Sequence, residues 1–189
     1  MRAWTLAFAA SAAFALSAVP AEAAWKTYIS HKLGFSFEAP GEIKTDTGTS
    51  RGVIAGPQET MIFKSAEDNI QYNVTVIAFP QSQAESATIL GEAHFMYQEG
   101  KRVLMDTFGR VEPNRESVYG RKVTIELPNN GGRATSAFYF NKGYLIQLES
   151  LVLPANGDYA SPDPGRFIDS IAFNPTRAGA GAVELKLPE

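Results

Sequence analysis

The stretch from Ile70 to Phe79 constrains the fold more than any other. Tyr72, Val74, Val76 and Ala78 take one phase of a period-two alternation, and Thr75, Ile77 and Phe79 take the other. A strand with one wet face carries apolar side chains on a single phase. Apolar residues on both phases require a strand inside a sheet that is covered above and below. The chain must therefore build a sheet of several strands with packing layers on both sides.

The same alternation marks further strands. Trp25 to Pro40 reads as an opening strand pair, with Phe35 and Phe37 on one phase of its second half. Residues 41–58 are polar, and the alternating Thr45, Thr47 and Thr49 indicate weak edge strands or a long loop. Met61-Ile62-Phe63 is a strand, and Glu67-Asp68-Asn69 is the turn into Ile70. From Arg115 onward the pattern is a meander. Tyr119, Val123, Ile125 and Leu127 lie in one strand, Ala134 to Phe140 in the next, and Tyr144, Ile146 and Leu148 in a third. Asn129-Asn130-Gly131-Gly132 and Asn141-Lys142-Gly143 are the connecting turns, Gly143 taking the left-handed position.

Two helices interrupt the strands. Pro80 ends the central strand, and Ser82 with Glu85 has capping-box spacing. Ser86, Ile89, Leu90, Ala93, Met96, Tyr97 and Gly100 then share one helical face. Phe95 lies about 200° around from Ala93, at about 100° per residue, and points away from that stripe. Lys101-Arg102 near the helix end suits the macrodipole. Later, Ser161-Pro162 or Asp163-Pro164 caps a short helix with Phe167, Ile168 and Ile171 inward. The order of elements predicts an α+β fold, an antiparallel sheet sandwiched between helices.

The opening Tyr28-Ile29-Ser30, then Leu33-Gly34-Phe35-Ser36-Phe37 and Pro40, resembles the start of PsbP-like proteins. Gly143-Tyr144-Leu145-Ile146 and the closing Arg166-Phe167-Ile168-Asp169-Ser170-Ile171-Ala172-Phe173 are similar to that family as well. The resemblance implies an α/β/α sandwich and an accessory or assembly role without catalysis. One departure is Ile43, which stands where such proteins often carry Trp. The metal-binding residues of the photosynthetic members have no counterpart that can be placed on this chain, and a photosystem role does not follow.

Residues 1–23 read as an address. Met1-Arg2 is cationic, Trp4 to Val19 is almost wholly apolar, and Ala21-Glu22-Ala23 has small residues where a signal peptidase reads. The apolar run is about 16 residues, short of the roughly 20 that span a bilayer. Cleavage after Ala23 leaves 24–173 as a single domain and 174–189 as a flexible tail containing Ala178-Gly179-Ala180-Gly181-Ala182. The Ala-rich signal indicates bacterial export, to the periplasm or the medium. A net charge of −3 gives no footprint for nucleic acid. The absence of cysteine excludes disulfides, thiolate catalysis and thiolate-bound zinc.

No chemistry-bearing pattern stands out in the rest. The only histidines, His31 in a polar corner and His94 on a helix flank, have no acid or second His at ligand spacing. Gly34-Phe35-Ser36 is a strand, not a nucleophile elbow. Asn129-Asn130-Gly131-Gly132-Arg133 lacks the Lys and hydroxyl of a phosphate loop. Asp158, Asp163 and Asp169 lack calcium-loop spacing, and Asp163 serves as a helix cap. No catalytic residue, metal ligand or cofactor is assigned.

Phe95 is the one candidate for a partner surface, the competing reading being that it packs under a loop or the tail. Trp25, Tyr28, Tyr139 and Tyr159 are further aromatics that a core does not obviously need. These readings predict an exported, non-enzymatic accessory domain that binds a protein partner in the periplasm. Two alternatives stay open. One is a periplasmic carrier with a small molecule between sheet and helix. The other is a hydrolase whose site is assembled from distant residues.

Overall fold

A computed structural model describes residues 24–50, 56–79, 85–112, 116–155, 157–175 and 181–188. The proposed signal and Ser82 of the expected capping box lie outside these described residues. The elements in chain order are β1 (Trp25–Ser30), β2 (Phe35–Pro40), β3 (Lys44–Thr49), β4 (Glu59–Glu67), β5 (Ile70–Ala78), α1 (Ser86–Gln98), β6 (Arg102–Val111), β7 (Val118–Glu126), β8 (Arg133–Asn141), β9 (Tyr144–Val152), α2 (Asp163–Asp169), β10 (Ala172–Phe173) and β11 (Val183–Glu184). The long strands form one antiparallel sheet in the order β3-β4-β5-β9-β8-β7-β6. A smaller sheet runs β10-β2-β1-β11, with β11 parallel to β1.

β5 lies inside the large sheet between β4 and β9. On one face Tyr72, Val74 and Val76 join Ile146, Leu148, Ala137 and Tyr139 in the main core. That core is closed by Tyr28, Phe35 and Phe37 from the small sheet and by Phe167, Ile168 and Ile171 at α2. On the opposite face Ile77 and Phe79, with Leu145 and Phe138, meet Ile89, Leu90, Ala93 and Tyr97 of α1. The fold is α+β, an antiparallel sheet with a helix on each side. The layer opposite α1 is α2 together with the β1–β2 ribbon.

Sharp turns supply the register. The β8–β9 turn places Lys142 at φ 49° and Gly143 at φ 81°. Asn141 pairs with Tyr144 across it, a two-residue hairpin of the expected kind. Gly132 holds φ 109°, and a Cβ there would lie 2.2 Å from the Val152 carbonyl oxygen.

Several expectations are corrected. The 101–114 region contains β6, a ten-residue strand that the alternation does not reveal. A bulge between Val103 and Met105 shifts its phase and places three apolar residues in succession. Residues 174–189 do not form a loose tail throughout. β11 pairs with β1, Leu185 donates its N–H to the Ile29 carbonyl at 2.7 Å, and its side chain is buried in the main core. A parallel pair this short gains its stability from that leucine, which no local pattern announces.

At α2 the Ser161 alternative is realised just ahead of the helix, its Oγ accepting the Asp163 N–H at 3.3 Å. Pro162 holds the N-cap of α2 without a side-chain cap bond, and Asp163 sits in the first turn, where its charge still suits the helix dipole. At α1 the N-cap is Glu85, also without a side-chain cap bond. Lys101 does what its position suggested, its ammonium donating to the Tyr97 carbonyl near the helix end.

Candidate functional site

Phe95 faces solvent, 66% exposed, so the alternative that it packs under a loop or the tail is removed. It shares α1 with the buried Ile89 and with Tyr97, whose ring meets Phe138 edge-on at 5.3 Å. These contacts fix the helix rotation and turn Phe95 outward. Of the other aromatics singled out, Tyr28 and Tyr139 are buried core residues, and Trp25 packs edge-on against Tyr72 at 5.6 Å. Tyr159 is partly exposed beneath the Arg133 guanidinium.

Two further rings reach solvent near α1. Phe108 on β6 is 82% exposed and Tyr119 on β7 is 63% exposed. The Arg121 guanidinium lies 4.5 Å from the Phe108 ring centre, and that of Arg110 lies 5.7 Å from Tyr119. Phe108 pairs with Arg121 and Arg110 with Tyr119 across the β6–β7 ladder. All four therefore project from the sheet face that carries α1. Sequence reasoning missed Phe108 because it missed β6. The run Val103-Leu104-Met105 between Gly100 and Pro113 was the available signal.

A polar cluster ties α1 to the edge strand. Asp106 Oδ1 accepts from Arg121 Nη2 at 2.7 Å and meets His94 Nε2 at 3.1 Å. Gln98 Nε2 donates to Asp106 Oδ2 at 3.1 Å and contacts His94 Nε2 at 2.7 Å. Burial pushes the Asp106 carboxyl up. The hydrogen bonds from Gln98 and Arg121, with the His94 and Arg121 charges beside it, outweigh that and hold it below the ordinary carboxylate range. Because its folded pKa lies below the unfolded value near 3.8, this stabilisation is present above that value and lost as pH falls through the folded one. Asp106→Asn is therefore expected to lower the melting temperature at neutral pH. The gap from wild type should close as the pH is taken below about 3.8, and a gap constant with pH would refute the assignment.

The sequence showed no acid partner for either histidine, and tertiary structure supplies one to each. His31 Nδ1 meets Glu184 Oε2 at 2.7 Å in an exposed pair between the β1–β2 corner and β11. His94 meets Asp106 at a more buried site. The two histidines do not meet each other in any described contact. Among the described residues no cluster of three His, Asp or Glu side chains is arranged to hold a metal.

A cleft of about 300 Å³ lies between α1 and the sheet, walled by Ile77, Phe79, Ile89, Met96, Tyr97 and Leu145. This is where the carrier alternative would place a ligand. Neither histidine lines it. Of its polar groups, Gln147 Nε2 donates to Ser136 Oγ at 3.1 Å, and Lys101 is bound to the Tyr97 carbonyl and lies over its ring. The Tyr97 hydroxyl is buried facing Glu149 and Ser136 but has no well-formed hydrogen bond. Burial, with the Glu149 charge in support, pushes its pKa far above that of a free phenol, so it stays protonated.

No family model and no curated protein matches the chain. Among solved structures, it is similar to the solution structure of cyanobacterial PsbP from Synechocystis sp. PCC 6803. The two share 14% identity over 80% of this chain and 93% of that one, with a TM-score of 0.49.

Proposed function

We propose that the mature domain is an exported, non-enzymatic accessory module that binds a protein partner through the aromatic surface of α1 and the β6–β7 edge. The observation that carries this reading is the exposure of three rings, Phe95 on α1 and Phe108 and Tyr119 on the sheet face that carries α1. Rings left in water forgo burial worth about 1.5–3 kcal/mol each, and nothing in the core requires them outside. Aromatic and Arg side chains together are the composition of interface hot spots. Residues 1–23 support a site of action outside the cytoplasm, and no described helix is long and apolar enough to cross a membrane. The carrier reading is weaker because Gln147 and Lys101, which would orient a ligand, are already bound within the protein.

Phe95→Asp tests the reading. The substitution is on an exposed helix face, so the melting temperature should change little, by about 0.5 kcal/mol or less in stability. Affinity capture from the periplasm of the source cells should lose its specific partner. Retention of that partner by the folded variant refutes the assignment of Phe95 to the surface.

A further inference from the structure

The two edges of the large sheet are built differently. β3, at one edge, reads Lys-Thr-Asp-Thr-Gly-Thr and has no large apolar side chain. β6, at the other, carries Val103, Leu104, Met105, Phe108 and Val111. Four of these are 40%, 38%, 42% and 82% exposed in the order Val103, Leu104, Met105, Phe108. β6 pairs with β7 on one side, and no described strand pairs with its other side. A long apolar edge strand is a template for a further strand, and natural proteins blunt such edges unless they are used. β6 has one bulge, at its beginning, and the stretch from Met105 to Val111 runs in regular register.

We infer that a second copy of this chain occupies the edge, β6 pairing antiparallel with its mate across a twofold axis at Phe108. Such an axis stands perpendicular to the sheet, so each face continues across the join and paired residues share a face. Centred on Phe108, it sets Phe108 against Phe108 and, twice, Asp106 against Arg110 of the other copy. All three side chains lie on the α1 face, opposite Arg121, Val123 and Tyr119 respectively.

Neighbouring registers are worse. An axis at Asp106 opposes Asp106 to itself. At Thr107 it opposes Asp106 to Phe108. At Gly109 it opposes Asp106 to Glu112. Like charges directly opposite destabilise a ladder, and opposite charges or paired aromatics stabilise it. Within the regular stretch from Met105 to Val111, only the register at Phe108 pairs opposite charges.

The side chains can meet this demand. Asp106 holds three described bonds, two on Oδ1 and one on Oδ2, and a carboxylate has about four acceptor sites. Arg110 is 56% exposed and is held by the surface residues Glu112 and Ser117, so it can turn to the second copy. The join depends on the partner-surface reading in one respect, that Phe108 is covered by protein. Phe95 is not part of the paired strand.

The mature domain should sediment as a reversible dimer over a wide concentration range. Arg110→Asp, which opposes two carboxylates at both ends of the join, should weaken it at least tenfold while circular dichroism shows the fold intact. The chain has no cysteine of its own, so Phe108→Cys reports the register directly. Paired Cα atoms about 4.5–5.5 Å apart fall within disulfide reach, and mild oxidation should give a covalent dimer. Arg102→Cys, about 40 Å from its mate in this register at about 3.4 Å per residue, should not cross-link.

A wild-type chain that is monomeric throughout overturns the inference, as does a dimer in which Arg102→Cys cross-links and Phe108→Cys does not. A monomer that still loses its captured partner on Phe95→Asp removes this inference and leaves the partner reading standing. A Phe108-centred dimer whose capture ignores Phe95 does the reverse.

Discussion

Phe167→Ala is expected to lower the stability of the domain by about 4 kcal/mol. Phe167 is fully buried on α2, the helix that closes the main core. Its ring meets Tyr72 of β5 edge-on at 5.2 Å and Phe37 of β2 edge-on at 6.1 Å. The single side chain therefore joins three elements: the helix, the large sheet and the small sheet. Truncation removes the transfer energy of the ring and leaves a cavity between two sheets whose ladders resist collapse. At about 2–4 °C per kcal/mol for a chain of this size, the melting temperature should fall by about 8–16 °C. Thermal unfolding followed by circular dichroism checks this. A fall under about 3 °C means that α2 is not a structural part of the core.

Gly120→Ala should be nearly as damaging, by about 3 kcal/mol, although it adds one methyl group. Gly120 is buried in β7 opposite Tyr139. A Cβ there would stand 2.1 Å from the Phe138 carbonyl oxygen and 2.5 Å from Tyr139 Cδ1. Backbone must therefore move, since the obstruction is not the free end of a side chain. Tyr139 also reaches across β7 to β6, where its hydroxyl lies 3.0 Å from the Cβ position of Gly109. Two glycines make a trough for one buried ring. That burial pushes the Tyr139 phenol up to about 12, with the Asp169 charge adding to it.

Gly91→Ala is the control. It lies in α1 with nothing within 4 Å of the added methyl, and alanine there should stabilise by up to about 1 kcal/mol. Chemical denaturation of the two variants should move in opposite directions. Equal effects would show that the trough at Gly120 is not the cause.

Much of this scaffold was legible in the chain. The double alternation of β5 required a covered interior strand, and β5 has β4 and β9 beside it and a core on each face. The α1 stripe and the outward direction of Phe95 followed from a helical period alone. β6 was not legible, because its bulge breaks the alternation and its apolar residues face solvent, so no burial pattern existed to be read. β11 was not legible because two residues carry no period. Tyr28 and Tyr139 were misjudged because a lone aromatic says nothing about depth. Tyr28 enters the core on a ribbon laid across the sheet, and Tyr139 over the trough at Gly109 and Gly120.

The candidate site divides along the same line. Phe95 could be placed from its angle on the helix, which is a local property. Its companions Phe108 and Tyr119 join it only because β6 and β7 come to the end of the sheet on the α1 side. Asp106 meets His94 through docking of a helix on a strand, and Glu184 meets His31 across a separation of 153 residues. By itself the sequence determined what each segment buries, since periodicity records which faces must leave water. Only tertiary structure decided which edge stayed open and which rings and charges share it, because strand order is set by long-range pairing that no local pattern encodes.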